Sequence, residues 1–302
     1  PAEDGGGADN NVYPNRTAQH NLEAAAAAAH RNPGAAREMG VDEEETAGWR
    51  DAAEAMYVPY DETLGVHPQS EGFTTHQPWD FAATTLEQYP LLLHFPYFDL
   101  YRKQVSKQAD LVLAMHLRGH AFTTEQKARN FAYYERLTVR DSSLSACTQA
   151  VMAAEIGHLQ LAHDYLGEAA LMDLGDLEHN TRDGLHIASL AGSWIALVAG
   201  FGGLRERDNT LAFTPSLPPA LSRIAFTITF RNRRLHVEVA PSTVVYQLRS
   251  GQPLQIFHEE RSVTVSGEGP LSCSLTRRPD LDPPAQPAGR APATRRASET
   301  AS

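Results

Sequence analysis

The stretch Arg140-Asp141-Ser142-Ser143-Leu144-Ser145 separates two helical patterns in the sequence. One pattern covers residues 131–138 before it, and an apolar run covers residues 144–156 after it. Asp141 or Ser142 is predicted to cap the second helix, because short polar side chains accept hydrogen bonds from the first amides of a helix. A helix start also attracts anions, and two adjacent serines add hydroxyl donors. An ordinary capping turn is the alternative interpretation of the same residues.

Composition and charge limit the classes of protein to which this chain can belong. The 302 residues carry a formal net charge of −11, and 42% of them are hydrophobic. This length supports one large domain or two smaller ones with real cores. The acidic balance argues against a general nucleic-acid surface and against an anionic-membrane surface, but it is compatible with a small local anion site. We therefore expect no nucleic-acid partner and no membrane partner.

Two cysteines, Cys147 and Cys273, lie far apart and lack the spacing of metal ligands. Cys147 falls on an apolar helical pattern, so we expect a buried thiol and a protein of the reducing cytoplasm.

The chain begins with Pro1 and has no secretory leader pattern, which predicts a fragment or a processed chain. The longest apolar run, residues 187–201, contains two serines and is short for a membrane span, which favours a buried helix.

Helical periodicity dominates the chain up to about residue 200, and this predicts an all-α assembly. Residues 57–100 are an exception, because they are rich in proline, histidine and aromatic residues and carry little periodicity, as functional loop regions often do. From residue 211 the pattern changes to short β-type runs; Phe226 and Ile228, for example, alternate with threonines. The predicted helices are residues 16–31, 43–56, 107–117, 124–134, 142–158, 159–172 and 186–198.

Six segments, taken in order, resemble the motifs of one protein family. The segments are Asp9-Asn10-Asn11-Val12-Tyr13-Pro14-Asn15, Lys107-Gln108-Ala109-Asp110, Tyr133-Tyr134-Glu135, Asp141-Ser142-Ser143-Leu144-Ser145, Gly184-Leu185-His186-Ile187-Ala188 and Gly200-Phe201-Gly202-Gly203-Leu204-Arg205. Each motif is weak alone, but six in the family's order with fitting gaps are specific, and the resemblance runs from Pro1 to about Leu275. The family that they resemble is glycoside hydrolase family 65, which contains the maltose, kojibiose and trehalose phosphorylases.

The resemblance implies a mainly α fold with a β domain. Residues 1–204 are expected to form the C-terminal part of an (α/α)6 catalytic barrel, and residues 205–276 a small antiparallel β-sheet domain. From Arg277 the composition shifts to Pro, Ala, Arg, Ser and Thr, which predicts a disordered tail over residues 277–302. The family's N-terminal β-sandwich and the first half of its barrel have no counterpart in this chain.

The resemblance also implies a general acid. In the family this is the Glu of a Gly-Pro-Asp-Glu-Tyr segment that precedes the Asn-Asn pair, and counting back from Asn10 places it on Glu3. Pro1 also fits that segment, whereas Ala2 and Asp4 depart from it. The acid would protonate the glycosidic oxygen as the bond breaks. The alternative for Glu3 is a solvated residue at a chain end.

Inorganic phosphate is the nucleophile that the resemblance implies. In the family, the residues that bind phosphate correspond to Lys107, Ser142, Ser143 and His186. A point charge, two hydroxyl groups at a helix start and an imidazole donor suit an oxyanion. Each has an ordinary alternative; Lys107 could be a solvated helix start and His186 a core histidine. Gln108 is expected from the resemblance to hydrogen-bond the glucosyl unit.

The function that these residues predict is inverting phosphorolysis of an α-glucosyl disaccharide, of the maltose, kojibiose or trehalose type. The products would be β-glucose 1-phosphate and a sugar, without a metal or organic cofactor. Two alternatives stay open: a hydrolase of the same family that uses water, and an inactive fragment or sugar-binding remnant. Half a barrel would expose apolar surface, so this chain alone is expected to aggregate or to show no turnover. Whether the full-length parent is a homodimer is left open.

Overall fold

The structure is a computed structural model that describes residues 8–177, 180–207, 209–276 and 280–293. The chain divides into two compact units, residues 1–139 and residues 140–302. Helices account for most of the regular structure of the first unit, whereas the described residues of the second unit form three α-helices followed by two sheets. The predicted class, a helical part followed by antiparallel-rich β-sheets, is confirmed. The barrel arrangement of the helices stays a prediction.

Local chemistry explains where the helices of the first unit begin. The side chain of Asn11 accepts a hydrogen bond from the Tyr13 amide, and Asp42 does the same for the Glu45 amide. Thr123 and Gln126 form a reciprocal capping box. The helices of the first unit are α1 (Val12–Arg31), α2 (Pro33–Glu38), α3 (Glu43–Glu54), α4 (Tyr97–Leu100), α5 (Asp110–Leu117) and α6 (Thr124–Glu135).

The long connection between α3 and α4 is irregular, as its composition predicts. It contains short 3-10 turns and β1 (Gln77–Pro78), which pairs in parallel with β2 (Lys103–Gln104). The segment nevertheless has its own apolar cluster, in which Trp79 packs edge-on against Phe95 with ring centroids 4.9 Å apart. This burial supplies free energy that an unstructured loop of this length would lack.

The helices of the second unit are α7 (Ser145–Ile156), α8 (Leu159–Leu171) and α9 (Ile187–Ile195). Gly157 ends α7 with φ +103°, a left-handed conformation that favours glycine, so α7 and α8 form the predicted tight pair. One turn of π-helix, Ala196–Phe201, follows α9. Among the described residues, no helix has both the length and the apolar character needed to cross a membrane.

Gly203 turns the chain from the last helical turn into the first strand of the second unit. Its φ is +62°, and a Cβ atom added there would lie 2.1 Å from the carbonyl oxygen of Thr214. The Thr214 amide donates to the Gly203 carbonyl oxygen at 3.2 Å, and the Ser216 amide donates to the Phe201 carbonyl oxygen at 2.9 Å. Only glycine fits this close approach of two backbone segments.

Two four-stranded sheets complete the second unit. The strands are β3 (Leu204–Arg207), β4 (Thr210–Phe213), β5 (Ile224–Phe230), β6 (Arg233–Val239), β7 (Thr243–Ser250), β8 (Leu254–His258), β9 (Arg261–Val265) and β10 (Leu271–Ser274). One sheet has the strand order β10-β7-β6-β5 and is antiparallel throughout; the other has the order β3-β4-β8-β9, with β4 and β8 parallel. The parallel pair departs from the purely antiparallel domain that the turns predict.

Residues 280–293 differ from the disordered tail that their composition predicts. They form no strand, but the Leu159 amide donates to Asp280 at 2.8 Å and the Leu281 amide donates to the Gly157 carbonyl oxygen at 2.9 Å. The reason is that the polar groups of the α7–α8 pair supply hydrogen-bond partners that composition cannot reveal. Residues 277–279 and 294–302 of the predicted tail lie outside the described residues.

Candidate functional site

Lys107, which is exposed, and Gln108, which is half-buried, lie in a bend shortly before α5. Ser106, which is buried, holds this turn in place. Its hydroxyl donates to the Gln108 carbonyl oxygen at 2.6 Å. Its amide donates to the Leu137 carbonyl oxygen, and its carbonyl oxygen accepts from the Val139 amide, both at 2.9 Å. The Lys107 ammonium is therefore carried by a backbone segment that is fixed on both sides.

The first unit also brings two of the resembling segments together. The side-chain oxygen of Gln69 accepts from the Asp110 amide at 3.3 Å and lies 3.5 Å from the Ser106 hydroxyl oxygen. The Gln69 carbonyl oxygen accepts from the Val12 amide at 3.0 Å, and the Asn11 side chain lies 3.5 Å from an Asp110 carboxylate oxygen. Gln69, which the motifs do not single out, thus links the start of α1 to the start of α5.

Tyr133 and Tyr134 on α6 contact the irregular segments that contain His67 and Gln104. The Tyr133 hydroxyl donates to the side-chain oxygen of Gln104 at 2.7 Å, and the Tyr134 hydroxyl donates to the His67 carbonyl oxygen at 3.0 Å. Burial raises the pKa of Tyr133 to about 12, and the negative charge of Asp61 adds to this. Both phenols are thus protonated donors at neutral pH, and they fix the loop against α6.

The serine turn, residues 140–145, precedes α7 in the second unit. Sequence predicts Asp141 or Ser142 as the helix cap, but the structure places the cap at Leu144, which has no side-chain capping bond. The Ser142 hydroxyl accepts from the Leu144 amide at 3.4 Å instead, and the Asp141 carboxylate is paired with Arg290 at 2.8 Å. The capping prediction is wrong because a distant arginine pairs with the carboxylate and a short turn intervenes before the helix.

His186 stands immediately before α9 and is oriented by Asp173. Its Nδ1 atom lies 2.6 Å from one carboxylate oxygen of Asp173, and its backbone amide donates to the other oxygen at 2.9 Å. A carboxylate at Nδ1 fixes the plane of the ring and leaves Nε2 as the nitrogen that can act on a ligand. The histidine is half-buried, so the core-histidine alternative does not describe it.

The serine turn and His186 lie at the same end of the second unit. A Cβ atom added at Gly192 on α9 would lie 2.6 Å from the sulfur of Cys147 on α7, and one added at Gly200 would lie 3.5 Å from the Cα atom of Val151. Gly200 belongs to the π-helical turn that continues α9, so residue numbers rise together along α7 and along α9 with its π-helical turn, and the two run in the same general direction. The starts of α7 and α9 consequently lie on the same side of this helix pair, and the positive ends of the two helix dipoles favour an anion there.

The predicted site residues fall into three sets. Lys107 and Gln108 lie together in the first unit, and Ser142, Ser143 and His186 lie at one end of the second. Glu3, the predicted general acid, lies outside the described residues. Asp173, by contrast, was missed by sequence reasoning: it belongs to an irregular connection, and only the tertiary structure places it beside His186.

Two family models match the chain. The model of the glycosyl hydrolase family 65 central catalytic domain matches residues 1–195, and that of the family's C-terminal domain matches residues 204–265. An uncharacterized glycosyl hydrolase of Mycobacterium tuberculosis strain H37Rv is 57% identical over 290 residues, which are 95% of this chain and 37% of the relative. An α,α-trehalose phosphorylase of Geobacillus stearothermophilus is 41% identical over 275 residues, covering 88% of this chain and 36% of the relative.

A solved structure agrees with these matches. It is provisionally described as a kojibiose phosphorylase from the human microbiome, and it superposes with a TM-score of 0.77 at 28% identity. The match covers 88% of this chain and 36% of the solved one. The chain thus spans little more than a third of the length of the proteins it resembles.

Proposed function

Because the chain belongs to glycosyl hydrolase family 65, we propose that it carries the phosphate-binding part of an inverting disaccharide phosphorylase. The substrate would be an α-glucosyl disaccharide of the maltose, kojibiose or trehalose type. Phosphate would attack C1 from the face opposite the leaving sugar, and the products would be β-glucose 1-phosphate and a sugar. The relative described as a trehalose phosphorylase and the structure described as a kojibiose phosphorylase support this class.

The observation that carries the proposal is the pairing of His186 with Asp173. Phosphate is already an anion, so a phosphorylase needs donors that hold it and no carboxylate base, whereas an inverting hydrolase needs a base to activate water. An imidazole whose Nδ1 atom is hydrogen-bonded to a carboxylate can present an Nε2–H group to an oxyanion. Ser142 and Ser143, at the same end of the unit, add hydroxyl donors.

The remaining roles rest on the family resemblance. Lys107 would supply a positive charge to phosphate, Gln108 would hydrogen-bond the glucosyl unit, and Glu3 would protonate the leaving oxygen. No metal or organic cofactor takes part in the proposed reaction. The proposed compartment is the reducing cytoplasm, and the two buried, unpaired thiols of Cys147 and Cys273 support that assignment.

A hydrolase is the second candidate, because the relative at 57% identity is described as a glycosyl hydrolase. The two reactions are separated by incubating trehalose, maltose and kojibiose with and without phosphate. The chain is assayed beside the complete polypeptide encoded by the same gene. Phosphorus NMR would detect glucose 1-phosphate, and the proton coupling at C1 would report the β-anomer that inversion requires.

A phosphorylase releases glucose 1-phosphate only when phosphate is present. The Ser142→Ala variant should then raise KM for phosphate by about 10-fold or more, since a hydrogen bond to a charged group contributes roughly 1.5–3 kcal/mol. Glucose release at one rate with or without phosphate would establish the hydrolase instead. If the complete polypeptide bound disaccharides without any turnover, the sugar-binding alternative would be correct.

A further inference from the structure

Residues 280–293, called the docked segment here, lie along α8 from its start. Asp280 accepts hydrogen bonds from the amides of Leu159 and Gln160, at 2.8 Å and 3.2 Å. These amides belong to the first turn of α8, which has no partner within its own helix for them. Asp280 therefore caps α8 from more than a hundred residues away in sequence.

The docked segment then follows α8 toward its other end. The side chain of Gln286 donates to the Tyr165 hydroxyl at 2.6 Å, and the Ala293 amide donates to the Glu168 carboxylate at 2.8 Å. From residue 159 to residue 168 a helix rises about 13 Å. The segment thus connects the turn between α7 and α8 with the end at which the serine turn lies.

Arg290 of the docked segment contacts the serine turn directly. Its guanidinium donates to the Asp141 carboxylate at 2.8 Å, and the two side chains are 11% and 3% exposed. Its carbonyl oxygen accepts from the Arg140 guanidinium, which also donates to Glu168 at 3.3 Å. Screening by solvent is weak for such a buried ion pair, so it constrains the backbone more than a surface pair would.

The backbone of the serine turn needs external support. Arg140 has φ +56°, a left-handed conformation that a residue with a side chain rarely adopts. Such a conformation persists where surrounding contacts hold it, and here these contacts come from Glu168, Tyr165 and the Arg290 carbonyl oxygen. Release of the docked segment would remove one of these contacts and leave the Asp141 charge without its arginine.

We propose that Arg290 is a positioning residue for phosphate binding by Ser142 and Ser143, and that the docked segment holds the serine turn in its binding conformation. This inference rests on the proposed function, because it assigns phosphate to the serine turn. Arg290 acts in two ways: it fixes Asp141, and its positive charge reduces the repulsion between the Asp141 carboxylate and a phosphate anion two residues away. The docked segment lies beyond residue 265, where the match to the family's C-terminal domain ends.

The experiment compares Arg290→Ala and Arg290→Lys with Arg182→Ala in the complete polypeptide. Arg182 is a matched control, because it forms an exposed ion pair with Asp183 in the same unit. Hydrogen–deuterium exchange of the amides of residues 142–145 should accelerate about 10-fold in Arg290→Ala and stay unchanged in Arg182→Ala. KM for phosphate should rise about 10-fold in Arg290→Ala, while KM for the disaccharide stays within twofold. Arg290→Lys, which keeps the charge, should show a smaller rise in KM for phosphate.

The double variant Asp141→Asn/Arg290→Ala separates the electrostatic effect of Arg290 on phosphate binding from its effect on the backbone of the serine turn. Removal of the carboxylate should restore part of the phosphate affinity that Arg290→Ala loses, without slowing the amide exchange. If Arg290→Ala fails to fold, Arg290→Met keeps the aliphatic stem of the side chain and takes its place. Unchanged amide exchange at residues 142–145 in the Arg290 variant would overturn the inference.

A different result would also contradict part of the proposed function. Faster exchange at residues 142–145, together with an unchanged KM for phosphate, would mean that the docked segment holds a turn that does not bind phosphate. That outcome overturns both the phosphate role of the serines and the positioning role of Arg290. Turnover without any need for phosphate would overturn the phosphorylase proposal and, with it, the role of Arg290 in phosphate binding, whereas faster exchange in Arg290→Ala would still show that the docked segment holds the serine turn.

Discussion

The Nδ1 atom of His186 lies 2.6 Å from a carboxylate oxygen of Asp173, and the other oxygen of that carboxylate accepts from the His186 backbone amide. Both the ring and the backbone of one residue are therefore held by one side chain. The pair stands at the start of α9, where the positive end of the helix dipole favours an anion. Asp173 is thus the group that sets which ring nitrogen can face a ligand.

The Asp173→Asn variant tests this relationship. Replacing the carboxylate with an amide removes a charge-assisted hydrogen bond, and about 10-fold weaker phosphate binding is expected, because such bonds contribute roughly 1.5–3 kcal/mol. The measurement is KM for phosphate beside KM for the disaccharide, with only the first expected to rise. Asp183→Asn, at an exposed site in the same unit, is the control. Equal KM values for phosphate in the two variants would show that Asp173 plays no part in phosphate binding.

Gly203 is predicted to tolerate no side chain. An added Cβ atom would lie 2.1 Å from the Thr214 carbonyl oxygen, and φ is positive at this position. Gly203→Ala should lower the free energy of unfolding by about 3 kcal/mol, because it combines left-handed backbone strain with overpacking. Gly267→Ala, where an added Cβ atom meets nothing within 4 Å, should change it by less than about 0.5 kcal/mol. Urea unfolding of both variants is the measurement, and equal midpoints would refute the close approach.

His67 makes the first unit sensitive to acid. Its ring is buried, and burial lowers its pKa from 6.5 to about 4, a shift that the side-chain hydrogen bond with Asn130 opposes and the positive charge of Arg16 assists. Between pH 6.5 and pH 4 the unfolded chain binds this proton and the folded chain does not, so stability falls as the pH falls through this window. The lowered pKa corresponds to a loss of at most about 3 kcal/mol in the free energy of unfolding across this pH window.

The His67→Gln variant should therefore flatten the pH dependence of unfolding between pH 6.5 and pH 4. The control is His94→Gln, at an exposed position of the same unit, which should keep the wild-type slope. Denaturant midpoints at several pH values give both slopes. A wild-type slope in His67→Gln would show that the buried ring contributes nothing to acid sensitivity.

The surface of α9 predicts self-association of the isolated chain. Ile187 is 65% exposed and Leu190 is 43% exposed, one helical turn apart, and Trp194 is also exposed. Burying a large aliphatic side chain contributes roughly 1.5–3 kcal/mol, so such a face favours association. Light scattering of the chain should show oligomers or aggregates that Ile187→Ser/Leu190→Ser reduces at least 10-fold.

Met39→Ser is the control for that surface, because Met39 is exposed to 80% but lies elsewhere, after α2. It should leave the association unchanged. A monomeric wild-type chain at high protein concentration would contradict the prediction, whatever the variants did.

Much of the secondary structure could be predicted from local sequence. The helix pair α7 and α8, the cap at Thr123 and the alternation around Phe226 follow from residues that are neighbours along the chain, and the structure agrees with them. The buried thiol of Cys147 is also confirmed. Helix ends were less predictable: α7 begins at Ser145, three residues later than the pattern indicates, because the serine turn has a conformation of its own.

The sequence by itself determined the fold class and the family, because periodicity and ordered motifs are properties of residues close together in the chain. Only the tertiary structure decided what surrounds the candidate site. Asp173 meets His186 at a sequence separation of 13, and Arg290 meets Asp141 at a separation of 149. Such pairs depend on how helices pack and on which backbone segments run beside them, and no local pattern encodes that. The partners of the site residues could therefore be identified only from the tertiary structure.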